Sequence, residues 1–244
     1  MKNKYKIDPN VYGVKAFHNN ETAYFRLYDR CLICNEIKKG YTWEPNIQEL
    51  FERYITKDMV VIDGGANVGI HTVKLSKLAD KVYAFEPMQQ TYELLTENIK
   101  LNGCTNVRLD RRGLSSNRGT TTWEWIAGDN KGASGLRDSN NTAHHNKDFT
   151  PTEEEQYDVD LTSIDDLNLD KIDFIKLDLE GYERKAIDGC IETIKRNKPI
   201  LLIESWKDHY GTVDIDYTRE LYRDLIEVYG YNMTQVGSAD YLFI

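Results

Sequence analysis

From Met59 onward the chain alternates short apolar runs with stretches in which apolar residues recur every three or four positions. MVVID (59–63), KVYAFE (81–86), NVRLDRRGL (106–114), IDFIKLDLE (172–180) and PILLIE (199–204) read as strands. VGIHTVKLSKLA (68–79), QQTYELLTENIKLNG (89–103), YERKAIDGCIETIKR (182–196) and DYTRELYRDLIEVYG (216–230) read as amphipathic helices. This alternation is the signature of βαβ units and predicts an α/β fold around a mostly parallel sheet. The last stretch, YNMTQVGSADYLFI, reads as two adjacent strands joined at Gly237 to Ala239. Ahead of Met59, the aromatic-rich runs TAYFRLYD and GYTWEP precede NIQELFERYI, whose Ile47, Leu50, Phe51 and Tyr54 fall at helical spacing. The pattern predicts an N-terminal accessory hairpin and helix over 1–58 and a main domain over 59–244. Residues 127–157 are polar and aperiodic, the mark of a functional loop or a disordered insertion.

Charge narrows the range of partners. With 31 basic and 40 acidic residues the net charge is -9, which offers no general attraction to nucleic-acid phosphates or anionic lipid. No nucleic-acid partner and no membrane association are expected. No run approaches the roughly 20 apolar residues of a membrane span, and MKNKYKIDPN lacks the apolar core of a signal peptide, so a cytoplasmic protein is expected. Cys31 and Cys34 make one C-x-x-C pair, but with Cys104 and Cys190 the spacing does not complete a zinc site, and reduced, structural cysteines are expected.

The candidate chemistry starts at VVIDGGANVG (60–69), where a strand runs through Asp63 into Gly64, Gly65, Ala66, Asn67 and Gly69 before a helix. Small residues there let a ligand approach the backbone and the helix N-terminus. The spacing misses the dinucleotide fingerprint, and Asp63 would repel a pyrophosphate. S-adenosyl-L-methionine carries an ammonium and a sulfonium and meets no such penalty. The next strand ends in Glu86, followed by Pro87, where a carboxylate can accept both ribose hydroxyls. Taken singly, Asp63 reads equally as a helix cap and Glu86 as a solvated strand end.

These residues, with DFIKLDLEGYERKAIDGC and PILLIE, resemble the FkbM family of class I S-adenosylmethionine-dependent methyltransferases. The family loop is matched by Asp63, Gly65, Ala66, Asn67 and Gly69, and its K-x-D-x-E-G-x-E motif by Lys176, Asp178, Glu180, Gly181 and Glu183. Ile164 and Asp165 meet an upstream pair of the pattern. The resemblance implies a Rossmann-like seven-stranded sheet with helices on both faces and an antiparallel last strand. It implies methyl transfer to a hydroxyl, often of a sugar or a natural-product scaffold. It places an adenine-contacting turn at Gly113, Leu114 and Ser115, and sets Asp178 nearest the cofactor edge.

In IDFIKLDLE a period of two puts Lys176, Asp178 and Glu180 on one side and Ile175, Leu177 and Leu179 on the other. Charges on a central strand need partners or a cleft; a structural ion network and a catalytic cleft are the two readings. Asp178, Glu180 and His209 are candidate proton acceptors, with Asp178 first, and Lys176 joins them as a candidate catalytic residue. His209 with Trp206 belongs to a loop after Glu204, and reads equally as a solvated histidine. His71 can reach the acceptor or simply pack on the sheet. A divalent metal such as magnesium is the other route to an activated hydroxyl, with Asp178 and Glu204 as its natural ligands. The sequence thus points to O-methylation of a sugar, glycan or glycosylated small molecule, with Trp123, Trp125 and Trp206 as candidate stacking platforms. The rival readings are an RNA methyltransferase and a catalytically silent cofactor-binding module.

Overall fold

The computed structural model describes residues 6–29, 31–124, 135–136, 156–205 and 215–244. Its central sheet contains β3 (Val60–Gly64), β4 (Lys81–Phe85), β5 (Val107–Asp110), β10 (Phe174–Leu177), β11 (Ile200–Glu204), β12 (Met233–Gln235) and β13 (Asp240–Phe243). The strand order is β12-β13-β11-β10-β3-β4-β5. All strands run parallel except β13, which pairs antiparallel with both β11 and β12. This is the seven-stranded arrangement expected, and the final two strands flank the Gly237 to Ala239 turn as the sequence predicts.

Alternation along each strand divides the sheet into two apolar faces. Ile62, Ile175, Leu177, Leu201, Ile203, Tyr241 and Phe243 pack with α5 (Glu183–Asp188), α6 (Ile191–Asn197) and α8 (Arg223–Glu227). Val61, Val82, Phe174, Leu202 and Leu242 pack on the other side against α2 (Pro45–Tyr54) and α3 (Ile70–Leu78). Strands buried on both faces are why the sequence shows continuous apolar runs there.

Three expectations need correction. The helix read over 182–196 is two helices, because at Gly189 the backbone passes so close to the residue after β6 (Gly113–Leu114) that a Cβ would lie 2.1 Å from the Ser115 carbonyl oxygen. The second helix then starts afresh, capped by Asp165, whose carboxylate accepts from the Glu192 and Thr193 amides at 3.0 and 2.8 Å. The helix read over 216–230 likewise divides into α7 (Ile215–Leu221) and α8 at Tyr222, whose ring meets Phe243 edge-on. Finally, 127–157 is not wholly irregular. Gly135–Leu136 forms β8, and β9 (Gln156–Thr162) begins inside that stretch. With β6 and β7 (Gly119–Glu124) they make a second sheet of order β6-β9-β7-β8. The remainder of 127–157 lies outside the described residues, as does Trp125.

The N-terminal segment forms a hairpin, β1 (Ile7–His18) and β2 (Glu21–Tyr28), then α1 (Leu32–Lys38), which the sequence reading missed, and α2. Cys31 and Cys34 are buried at the start of α1, beneath the hairpin, and neither is in a disulfide; nor are Cys104 and Cys190. Because this segment covers it, α3 is buried from Ile70 through Ser76 rather than amphipathic. Even Lys74 is enclosed, donating to the Phe17 carbonyl and pairing with Glu52.

The hairpin is joined to α4 (Gln89–Leu101) and the residue after it by side-chain amides. Asn98 accepts from the Arg26 amide at 2.7 Å and donates to the Arg26 carbonyl at 3.0 Å; Asn102 does the same for Tyr24 at 2.9 and 2.7 Å. Four helical residues rise about 6 Å and two strand residues about 6.7 Å, so amides one turn apart serve alternate residues of the β2 edge. Asn98 also donates to the Val68 carbonyl at 2.7 Å, which ties the hairpin to the glycine loop. Asn98→Ala would strand three backbone groups at a fully buried position and should lower the unfolding free energy by about 3 kcal/mol in urea titrations. Asn102→Ala, nearer the surface, should cost about 1 kcal/mol. Equal small losses from both would show that water replaces these amides.

Candidate active site

The glycine loop is built by contacts that leave no room for larger side chains. At Gly65, φ is +77° and a Cβ would fall 1.8 Å from the Asp178 carbonyl oxygen. The Gly65 and Ala66 amides donate to the Phe85 carbonyl at 3.0 and 2.9 Å, holding the loop against the end of β4. Asn67 adopts φ 50°, aided by its own side chain, whose Oδ1 accepts from the Val68 amide at 2.8 Å. Gly69, at φ +91°, precedes α3.

Asp63 and Glu86 flank this loop. Asp63 has no exposed surface. Its Oδ2 accepts from Thr72 Oγ1 at 2.6 Å, and its Oδ1 lies 3.9 Å from Lys176 Nζ without a hydrogen bond among the described residues. Glu86 is 6% exposed; one carboxylate oxygen accepts from the Asn67 amide and the other from the Met88 amide, both at 3.0 Å. Pro87 carries no N–H, so the carboxylate reaches past it to Met88. Burial pushes the Glu86 carboxyl up to about 7, opposed by those two amides and reinforced by Asp178 and Asp63. Gly113 and Leu114 form β6, and a Cβ at Gly64 would sit 2.9 Å from Leu114 Cδ1, so Leu114 backs the loop.

Lys176 and Asp63 are register partners on adjacent strands. Lys176 is 4% exposed and donates to Asp178 Oδ2 at 3.1 Å. Burial opposes its charge, but Asp178, Asp63 and Glu44 outweigh it and hold the ammonium protonated. Burial would raise the Asp178 carboxyl; Lys176 and a hydrogen bond to Glu204 overcome that and keep it below the usual range. Both effects favour the ionised form of Asp178. The one-sided strand ends here: β10 stops at Leu177, and Glu180 and Gly181 turn through φ 52° and 99°. Glu180 nevertheless returns to the cluster, since carboxylate oxygens of Asp178, Glu180 and Glu204 lie within 4.8 Å of one another. His209 and Trp206 lie outside the described residues.

Glu183 and Asp240 carried no functional reading of their own from the sequence, whereas the N-terminal segment around Trp43 and Glu44 is expected from it to help cover the acceptor site. Glu183 is buried and accepts from the Leu179 amide at 2.6 Å and the Gly181 amide at 3.1 Å, fixing the turn that carries Glu180; burial lifts its carboxyl to about 7. Asp240 stands opposite Glu204 on β13 and is raised to about 7 by burial, with Glu44 and Asp178 adding to it. Glu44 caps α2 at φ 45°, and its Oε2 lies 3.0 Å from His71 Nε2. Only the E-G-x-E spacing hinted at Glu183; the others depend on long-range pairing.

Known proteins can now be set beside this geometry. The model of the methyltransferase FkbM domain matches residues 63–233, which takes in the glycine loop, Glu86, Lys176 to Glu183 and Glu204 and leaves out Glu44. Methyltransferase sdnD of Sordaria araneosa is 25% identical over 171 residues, covering 60% of this chain and 66% of that protein. The uncharacterized protein MJ1452 of Methanocaldococcus jannaschii is 43% identical over 58 residues, 24% of this chain and 22% of that one. The crystal structure of methyltransferase FkbM from Methylobacillus flagellatus KT shares the fold, with a TM-score of 0.50 at 15% identity over 87% of this chain and 52% of that chain. The chain thus spans just under two thirds of sdnD and about half of the Methylobacillus protein. By the domain match and the seven-stranded sheet, the chain belongs to the FkbM methyltransferase family and has the class I methyltransferase fold.

Proposed function

We propose that the chain is an S-adenosyl-L-methionine-dependent O-methyltransferase acting on a hydroxyl of a sugar, a glycan or a glycosylated small molecule. The observation that carries this reading is the pair of buried carboxylates flanking the glycine loop. Asp63 Oδ1 has a place for a donor, and each Glu86 oxygen, with one amide already bound, retains a lone pair for a ribose hydroxyl. The donor set fits a ligand with a cationic amino-acid end and a neutral ribose, and opposes a pyrophosphate. When bound, S-adenosyl-L-methionine supplies a methyl group already activated on a sulfonium. What remains for the protein is to align the acceptor oxygen and remove its proton.

The acceptor side of the reading rests on Asp178, Glu180, Glu204 and Asp240, which gather at the carboxyl edge of the sheet. Half-buried carboxylates of this kind accept hydrogen bonds from vicinal hydroxyls and repel phosphate, which favours a polyol over a nucleic acid. The net charge of -9 acts in the same direction. No described helix is long and apolar enough to cross a membrane.

Calorimetry tests the cofactor assignment: S-adenosyl-L-methionine should bind, NAD should not, and Glu86→Ala should lose about 1–3 kcal/mol. Equal wild-type affinity for both ligands would refute it. A pH series isolates Glu86 if the ligand is 5′-methylthioadenosine, which keeps the ribose but has no titrating amino acid. Hydroxyl donors favour the ionised carboxylate, whose pKa of about 7 is raised from 4.5, so affinity is full above pH 7 and falls as pH drops through it. Binding should be about tenfold weaker at pH 6 than at pH 8. Glu86→Gln should abolish the dependence.

A second reading places a divalent cation among Asp178, Glu180 and Glu204, an oxygen set of the kind magnesium takes, where it would lower the pKa of a bound hydroxyl. Lys176 already supplies a positive charge to Asp178, so EDTA should leave methyl transfer within about twofold. Strong loss restored by magnesium would assign those three carboxylates to a metal.

A further inference from the structure

The acceptor hydroxyl must lose a proton, and the carboxylates nearest the cofactor loop are poorly placed to take it. Asp178 is engaged by Lys176 and Glu204, Asp63 by Thr72 and Lys176, and Glu86 and Glu183 by backbone amides. Asp63 keeps one oxygen without a donor, but it lies 3.9 Å from the Lys176 ammonium; His71 offers a ring nitrogen instead. It lies in the first turn of α3, two residues after Gly69, and is 7% exposed. Its Nε2 lies 3.0 Å from Glu44 Oε2, whereas its Nδ1 is buried and has no hydrogen-bond partner among the described residues. A carboxylate can only accept, so Nε2 carries the proton of the neutral ring and Nδ1 is left with a free lone pair. Buried ring nitrogens without partners are uncommon and call for a ligand or a reaction.

Glu44 shows that the pair is held in place by the surrounding structure. It adopts φ 45° and ψ 65°, the left-handed region, which strains a residue that carries a Cβ. The conformation persists because the Glu44 carbonyl accepts from the Ile47 and Gln48 amides at 3.0 and 3.1 Å and Pro45 opens α2 behind it. Phe51 of the same helix meets the His71 ring edge-on at 5.4 Å and fixes its plane. The Glu44 side chain is 30% exposed, so the pair runs from the interior to solvent. The charged groups around the imidazole are Glu44 from α2, Asp178 at the end of β10, and behind them Lys176 and Asp63.

We infer that His71, oriented by Glu44, accepts the proton of the acceptor hydroxyl, so that the N-terminal segment outside the family-matched region completes the active site. The inference rests on the methyltransferase reading above. As the acceptor oxygen forms its bond to the methyl carbon, the carbon–sulfur bond breaks with its electron pair remaining on sulfur. The O–H bond breaks at the same time, and its proton goes to His71 Nδ1. The imidazolium so formed is stabilised by Glu44, through which the Nε2 proton can pass to solvent. Glu44 is thus a positioning residue for His71.

Two measurements on the full chain test this. The first needs no turnover: long-range nitrogen–proton correlation spectra should show His71 as the Nε2–H tautomer with a bare Nδ1, the signal being assigned by its loss in His71→Asn. In Glu44→Gln the tautomer balance should shift. A protonated Nδ1 in the neutral ring would overturn the proposal. The second follows labelled methyl transfer from S-adenosyl-L-methionine to a panel of methyl glycosides. His71→Asn should lower turnover about a hundredfold while leaving cofactor affinity within threefold. In Glu44→Gln the acidic limb of kcat should move to lower pH as the imidazolium loses its counter-charge. A purely structural His71 would lower stability without moving that limb, and unchanged turnover in His71→Asn would also reject the base role. Absence of transfer by the wild type to every glycoside would instead overturn the sugar-methylating function, while the tautomer would still decide the state of the pair.

Discussion

The ammonium of Lys176 sits inside the central strand of the sheet, and the acidic ends of the neighbouring strands depend on it. A buried lysine without partners would give up its proton, and buried carboxylates without partners would take one up. Here each corrects the other: Asp63 lies level with Lys176 on β3, and Asp178 follows two residues later on its own strand. Removing one member of such a group typically costs about 3–5 kcal/mol, because the rest are left charged and dry. The arrangement allows an anion on each side of the loop crevice, where parallel sheets of this kind receive their ligands.

Asp63 and Glu86 are both buried, yet their surroundings differ. Asp63 has a cation within 3.9 Å and a hydroxyl donor at 2.6 Å. Glu86 has only two backbone amides and feels Asp63 and Asp178 as like charges, so its carboxyl is lifted to about 7. Both keep room for a ligand donor, Asp63 at Oδ1 and Glu86 at the remaining lone pair of each oxygen. The site is thus left open to donors at both acids.

Much of this was legible in the sequence, and what was missed has a common cause. Local signals sufficed for the apolar runs of β3, β4, β10 and β11, for the glycine loop, and for the closing strand pair, since their pattern depends on residues close in the chain. The single helices read over 182–196 and 216–230 failed because their breaks are made elsewhere, by Ser115 against Gly189 and Asp165 capping α6 in the first case. The charged alternation of Lys176, Asp178 and Glu180 was read one step too far. The positive φ of Glu180 is imposed by Glu183 gripping the amides of Leu179 and Gly181, and a period-two pattern cannot register it. Helix α1 escaped notice because seven residues are too few to show a period.

The largest gap between pattern and structure concerns α3, and it bears directly on the site. Its sequence mixes His71, Thr72, Lys74 and Ser76 with apolar residues, which suggests a helix with one wet face. In the fold every one of those polar side chains is buried, and each is answered by a group outside α3. Thr72 faces Asp63, Lys74 faces Phe17 and Glu52, and His71 faces Glu44. The hairpin and α2 therefore do more than shield apolar surface. They convert the outer face of α3 into interior, and by enclosing His71 they place an ionisable ring beside the anionic edge of the sheet. A class I core with α3 open to solvent would leave that ring hydrated, and Asn98 ties the covering hairpin to the Val68 carbonyl of the same loop that α3 follows. The same segment that buries α3 thus also supplies the carboxylate partner of His71.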